Sequence, residues 1–491
     1  MTQKELEDYL WGAANILRGM IDAADFKQYI FPLLFFKRIS DVWDEEFQTA
    51  LNESDGDLDY ASFAENHRFQ IPEGCHWEDV RKKTVDVGVA LQNALNGIEK
   101  ANFDMLHDVF GDAQWTNKRR MSDEKMLDLI EHFSRMNLTV GNVPHDIMGA
   151  GYEYLIKKFA DDSGHTAAEF YTNRTVVKLM TQITDPQSGE SIYDPTCGSG
   201  GILLSSSLHV KEQGKEYRTL KLYGQELNLI TSAIARINMF MHNVDEFLIV
   251  QGDTLDNPQL LENDELKQFD VIMANPPYSV KRWNQQKWTN DPFGRNIWGT
   301  PPQGCADYAF QQHIMKSLKP DTGRSVVLWP HGVLFRDAES AIRKRMIEED
   351  YVDAVIGLGK NLFYNSSMES CLLVCRMKKP AERKGRIIFI DAKEELRIDR
   401  TNAWLESQHI QKISDAYWQF ADAEGFTKVM PIGEVLANNG NLSVQLYVKQ
   451  AGSMIEHNTE ELIEDIKVGQ LQINAALDHL FAHLKDIGIE V

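Results

Sequence analysis

The hydrophobic positions divide the chain into three stretches of different rhythm. Over residues 1–140, Leu6, Leu10, Leu17 and Ile21, then Ile30, Leu33, Leu34 and Ile39, recur at intervals near 3.6 and predict an all-α domain. Across 141–430, β-branched runs ending in Gly, Asp, Asn or Pro alternate with helical stretches: SIYDP, KLYGQE, FLIVQGD, FDVIMANPP, SVVLWP, VDAVIGL, CLLVCRM and RIIFID. That alternation predicts a doubly wound, mostly parallel α/β sheet. The late runs follow one another closely around NLFYNSS, so one strand is expected to return antiparallel. Over 431–491, Leu462, Ile466, Ile473, Leu477, Leu480, Leu484 and Ile487 are spaced by three, four or seven, a coiled-coil-like stripe interrupted near Gly469. Such a tail either packs on its own domain or binds a partner.

Composition narrows the class. A chain of 491 residues with 43% apolar and 25% charged residues reads as a soluble protein of two or three domains. The start, MTQKELEDYLW, does not read as a signal peptide, and the apolar run Tyr29–Phe36 is far short of the ~20 residues that span a bilayer. Five cysteines without CxxC pairs predict reduced thiols in the cytoplasm and no zinc site. Cys371 and Cys375 lie four apart on one strand and are expected in the core. The balance of 51 basic and 73 acidic residues leaves a net charge of −22. A chain so acidic should bind duplex DNA poorly unaided, since phosphate contact calls for concentrated basic surface.

The residues with chemical character gather at strand ends, where open α/β sheets bind ligands. Ser191–Tyr193 runs into Asp194, Pro195, Thr196, Cys197, Gly198, Ser199, Gly200 and Gly201, then an apolar helix. The glycines allow a tight turn, and exposed N–H groups at the helix start favour an anionic group. Cys197 reads as a small pocket-lining residue. The next strand, Leu220–Tyr223, leads to Glu226, 25 residues beyond Gly201, where a carboxylate can accept from two ribose hydroxyls. The third, Phe247–Val250, ends near Asp253, which could meet an adenine edge.

The fourth strand, Phe269–Ala274, ends in Asn275, Pro276, Pro277 and Tyr278. Two prolines fix φ and remove two N–H donors, so the turn presents carbonyls. The Asn275 side-chain oxygen and the Pro276 carbonyl can accept both hydrogens of an exocyclic amine, and Tyr278 can stack on its ring. Beyond it, Lys281, Arg282, Trp283, Lys287, Trp288, Arg295 and Trp298 interleave cations with indoles, a pattern that suits DNA contact or an ordinary solvated loop.

DPTCGSGG, GQE, GDTL and FDVIMANPPY, in that order, resemble the motif series of the S-adenosylmethionine-dependent amino-methyltransferases. Ala168-Glu169-Phe170-Tyr171-Thr172 is similar to the family's EFYTP segment, with Asn173 in place of its proline. CADYAF with His313, LWPHGVLFR and the N-terminal LWGAANILRGMIDAADFKQYIFPLLFFKRISD resemble type I restriction-modification DNA methyltransferase subunits in particular. The resemblance covers roughly residues 5–400 and implies a Rossmann-like methyltransferase domain. It also implies N6-methylation of an adenine flipped out of double-stranded DNA. Glu169, Phe170, Tyr171 and Thr172 would close over the methionine end of S-adenosylmethionine, and Phe363 would be a second base-stacking residue, unless it is ordinary core. A specificity subunit would read the sequence, joining two copies of this chain and, in the full complex, restriction subunits. The alternatives are a protein-glutamine or ribosomal RNA methyltransferase, or a non-catalytic S-adenosylmethionine-binding scaffold. NPPY alone leaves N4-cytosine open.

Overall fold

Apolar β-branched runs become strands here because helices cover both of their faces. The computed structural model describes residues 1–18, 21–22, 25–162, 171–362, 368–399, 402–449, 467–477 and 480. Its strands are β1 (Ser191–Asp194), β2 (Lys221–Glu226), β3 (Phe247–Gln251), β4 (Leu261–Glu262), β5 (Glu265–Leu266), β6 (Val271–Ala274) and β7 (Arg324–Pro330). They continue with β8 (Val352–Leu358), β9 (Ser370–Arg376), β10 (Arg386–Ala392), β11 (Arg397–Asp399), β12 (Asn402–Trp404) and β13 (Thr427–Pro431). Nine form one sheet in the order β13-β10-β8-β9-β7-β6-β1-β2-β3, while β4 with β5 and β11 with β12 make small hairpins. From β7 to β3 the sheet is parallel. The expected antiparallel return is β9, which runs against both β7 and β8.

Period-two alternation sorts the side chains between two cores. Ile192, Val271, Met273, Val326 and Leu328 face the helices Arg174–Thr184 and Gly201–Glu212. Tyr193, Ile272, Val327 and Trp329 face the Asp307–Lys316 helix. Cys371 and Cys375 are fully buried together on that second face, as their spacing implied. Residues 432–448 also pack there: Val435, Leu442 and Val444 are buried, and the Tyr447 ring lies 4.2 Å from that of Phe389.

The N-terminal region folds as helices around a core of its own. Helix α1 (Gln3–Leu17) starts at a Thr2–Glu5 capping box, and α2 (Lys27–Glu53) carries the long apolar run through the centre. The Leu229–Met241 helix is shared. Ala235 and Met239 pack on the sheet, whereas Ile234, Ile237, Phe240 and Met241 complete the N-terminal core. Among the described residues no helix is long and apolar enough to cross a membrane. In the tail, Val468, Leu471, Ile473, Leu477 and Leu480 are all exposed, while Leu462, Ile466, Leu484 and Ile487 lie outside the described residues.

The sheet order fixes where a ligand sits. Strand β1 has β2 and β3 on one side and β6 on the other, so the strand order reverses beside its C-terminal end and opens a crevice there.

Phe35 of α2 stacks on Phe240 at 5.7 Å and also meets Phe69 and Phe110, joining the two units through a buried aromatic cluster. Phe35→Ala is expected to destabilise the fold by about 3–5 kcal/mol in chemical denaturation. A loss below about 1 kcal/mol would show that this contact does not bind the N-terminal helices to the sheet.

Candidate active site

The glycine-rich loop after β1 is held from below by a charged network. Arg174 pairs with Glu153 in a two-pronged contact and donates to Ser199 Oγ at 3.2 Å and to the Thr172 carbonyl at 3.3 Å. Asn238 donates to both Glu153 (2.7 Å) and the Ser199 carbonyl (3.0 Å). Burial opposes ionisation of Glu153, but Arg174, His242 and Asn238 together hold its carboxyl below the usual range. This explains Gly201: a Cβ there would lie 1.8 Å from the Arg174 guanidinium. Gly200 has φ +77° and caps the Gly201–Glu212 helix in the left-handed region that favours glycine.

The acids of the crevice differ in state. Glu226 is half-buried at the end of β2; its Oε2 accepts from Gly198 N at 3.0 Å and its Oε1 from Asn228 N at 2.9 Å. Asp253 is exposed just after β3, with Oδ1 accepting from the Leu255 and Asp256 amides. Asp194 is buried and accepts from Thr196 N at 3.0 Å; burial pushes its carboxyl up to about 8. Cys197 is buried against Gly224, and burial raises its thiol, which makes it a packing residue rather than a nucleophile. Lys27, at the start of α2, is depressed by burial and partly restored by the charges of Asp25 and Glu226, so the N-terminal region reaches toward this acid.

The Asn275 turn follows β6 beside the glycine loop. Asn275 Nδ2 donates to Thr172 Oγ1 at 3.1 Å, and its Oδ1 accepts a hydrogen bond from the Tyr278 hydroxyl. Pro276 is buried, Pro277 half-buried, and the Tyr278 ring sits 6.4 Å from that of Trp329. Thr172 and the buried Tyr171, whose ring lies 4.5 Å from the Arg174 guanidinium, thus bridge the two loops. Asn173 replaces proline without leaving this segment loose. Its Oδ1 caps the Arg174–Thr184 helix by accepting from Thr175 N, and its Nδ2 donates to the Ala403 carbonyl at 3.0 Å. Glu169, Phe170 and Phe363 lie outside the described residues.

One expectation is corrected. Trp288, Trp298 and Arg295 do not form a DNA-facing strip, because all three are at most 2% exposed. Arg295 pairs with Asp291, whose side chain is equally buried, and donates to the Thr254 and Leu255 carbonyls at 2.8 Å. Thr254 Oγ1 in turn donates to the Pro195 carbonyl. The guanidinium therefore holds the Asp253 loop against the glycine loop from inside. The alternation of Arg and Trp gave no sign of this, since the Arg295 guanidinium reaches the main-chain carbonyls of Thr254 and Leu255, some 40 positions earlier. Lys281 and Arg282 are exposed, and Lys287 pairs with Asp256 at 3.0 Å.

The family model described as N-6 DNA Methylase matches residues 143–455, and the one described as HsdM N-terminal domain matches residues 6–133. The chain is 30% identical over 431 residues to the type I restriction enzyme MjaVII methylase subunit of Methanocaldococcus jannaschii, covering 84% of this chain and 72% of that one. It is 28% identical over 532 residues to the MpnII methylase subunit of Mycoplasma pneumoniae, covering 99% and 95%. A solved type I restriction-modification methyltransferase subunit from Streptococcus thermophilus superposes with TM-score 0.79 at 29% identity, covering 91% of this chain and 100% of that one.

Asp194 gives a pH-dependent prediction. The unfolded chain releases this proton near the ordinary ~3.9, whereas the fold keeps it to about 8, so its contribution to stability is lost as pH rises through that interval. Asp194→Asn cannot ionise. It should raise the unfolding midpoint relative to wild type above about pH 8, and the difference should shrink toward pH 4. A difference that grows on acidification would contradict this assignment.

Proposed function

Since this chain belongs to the N-6 DNA methylase family and is the adenine N6-methyltransferase subunit of a type I restriction-modification system, we propose that the reaction takes place between the β1–β2–β3 loops and the Asn275 turn, with S-adenosylmethionine as donor. The observation that carries this reading is strand adjacency. β6 and β2 flank β1 in parallel register, so the Asn275 turn and Glu226 leave the same sheet edge about two strand spacings, ~10 Å, apart.

The residues present fit this cofactor. A backbone bend at Gly198–Gly201 admits a close ligand, Glu226 offers a carboxylate to a ribose diol, and exposed Asp253 can accept from an adenine amine. Amides at the start of the Gly201–Glu212 helix suit the methionine carboxylate. Tyr171 and Thr172 cover that end, and the resemblance to the family's EFYT segment assigns Glu169 and Phe170 to the same role. Bound there, the cofactor supplies an electrophilic methyl on a positively charged sulfur.

The chain's own work is to hold the acceptor. Asn275 Oδ1 and the Pro276 carbonyl accept the two amine hydrogens and point the N6 lone pair at the cofactor side. The prolines keep that turn rigid. Tyr278 stacks on the flipped base, with Phe363 as its second partner, and Asn275 Oδ1, with two lone pairs, can accept from both the Tyr278 hydroxyl and the amine. Fixing both reactants in this way can contribute roughly 7–11 kcal/mol to lowering the barrier.

Sequence reading is assigned to a separate specificity subunit. A net charge of −22 disfavours an unaided grip on duplex DNA, although exposed Lys281 and Arg282 beside the turn can contribute local phosphate contacts. A second copy of the chain joins through the specificity subunit, and restriction subunits complete the complex in the cytoplasm.

The test is co-purification with the specificity subunit, followed by methylome sequencing of cells carrying the pair. N6-methyladenine at one sequence motif is expected. Asn275→Ala should lower methyl transfer roughly 100-fold or more with cofactor binding intact. Glu226→Gln should instead weaken cofactor binding, by about tenfold. N4-methylcytosine, or transfer to ribosomes or protein glutamine in place of DNA, would overturn the substrate assignment. Full methylation by Asn275→Ala would overturn the site.

A further inference from the structure

The CADYAF and LFR segments converge on the residue that follows Tyr278. Ser279 has φ +50°, a left-handed conformation that serine adopts rarely. Its N–H donates to Asp307 Oδ1 at 2.7 Å, and the Asp307 side chain is fully buried. Arg336 pairs with Asp307 Oδ2, holds the buried Glu339 at 2.7 Å and donates to Ser279 Oγ at 3.4 Å. Cys305 Sγ donates to Asp307 Oδ2 at 3.1 Å. The ligand atoms of Cys305, Asp307 and Glu339 approach one another as a metal site would, but the Arg336 guanidinium already pairs with both carboxylates.

We propose that Asp307 and Arg336 form a positioning clamp that holds Ser279 in its left-handed conformation, and so sets the place of Tyr278 and the Asn275 turn for the incoming base. The clamp rests on the reading of that turn as the amine site. Asp307 must accept with both oxygens, one toward Ser279 and one toward Arg336 and Cys305. Asparagine at this place has a single acceptor oxygen and must turn its NH2 toward one of those donors. If the NH2 faces Ser279, the Ser279 N–H loses its acceptor; if it faces Arg336, two donors are opposed and the Arg336 pair that fixes residue 307 is lost. Neither Asp307 nor Arg336 touches the reacting atoms. Their effect passes through the backbone of residue 279, and glycine, which takes positive φ freely, needs less of it.

The test is methyl transfer to unmodified DNA by the complex with the specificity subunit, comparing wild type, Asp307→Asn, Ser279→Gly, the double variant and Asn275→Ala. Asp307→Asn should lower kcat roughly 10- to 100-fold, with KM for S-adenosylmethionine unchanged. Adding Ser279→Gly should recover at least about threefold of that loss, measured relative to Ser279→Gly alone. Unchanged kcat in Asp307→Asn, or equal losses in single and double variants, overturns the clamp. So does loss of cofactor binding in Asp307→Asn, which would make the residue a general support of the domain. If Asn275→Ala keeps full activity, the site reading itself fails, and this outcome is distinct from failure of the clamp alone.

Discussion

The proposed chemistry depends on the pairing of β1 between β2 and β6. Three parallel strands end at one edge, and each hands its chain to a loop of different character: the glycine bend, the Glu226 acid and the Asn275–Pro276 turn. Because neighbouring strands are locked at one spacing by their hydrogen bonds, donor and acceptor loops are held at a separation that no loop could set by itself. The N-terminal helices reinforce that edge through the shared Leu229–Met241 helix, whose first turn follows directly from the Glu226 loop.

Loops at this edge are each tied to a wholly or partly buried charged pair that contacts nearby main-chain groups. Arg174 with Glu153 sits under the glycine bend, Arg295 with Asp291 under the Asp253 loop, and Arg336 with Asp307 under the end of the Asn275 turn. Such pairs add little net stability in a fold, since desolvation offsets their attraction. They specify conformation, because removing one partner leaves an uncompensated charge beside a loop that must hold its shape. Three arginines thus support three strand-end loops.

Much of this was legible in the order of residues. Strand-like runs ending in glycine, acid or asparagine–proline marked the sheet and its ligand edge, and the spacing of Cys371 and Cys375 placed both on one buried face. The antiparallel return of β9 followed from the short connection before it. What pattern could not show was the partnership of charged residues far apart in the chain. Arg295 looked like a surface cation beside tryptophans, and only the fold reveals that it faces the carbonyls of Thr254 and Leu255. Asn173 stands in place of the family's proline, and its side chain fixes the segment by capping a helix and reaching Ala403. Side chain to backbone contacts across 40 to 230 positions leave no periodicity to detect.

The most direct measurement is a structure of the complex with S-adenosylhomocysteine and a duplex carrying the target sequence. The account predicts an extruded adenine stacked on Tyr278, with N6 held by Asn275 and the Pro276 carbonyl and aimed at the cofactor sulfur. One methyl should fit between N6 and sulfur in near-attack geometry, which places reacting atoms roughly 3–3.5 Å apart. A target base seated elsewhere, or a cofactor bound away from Glu226, would contradict it.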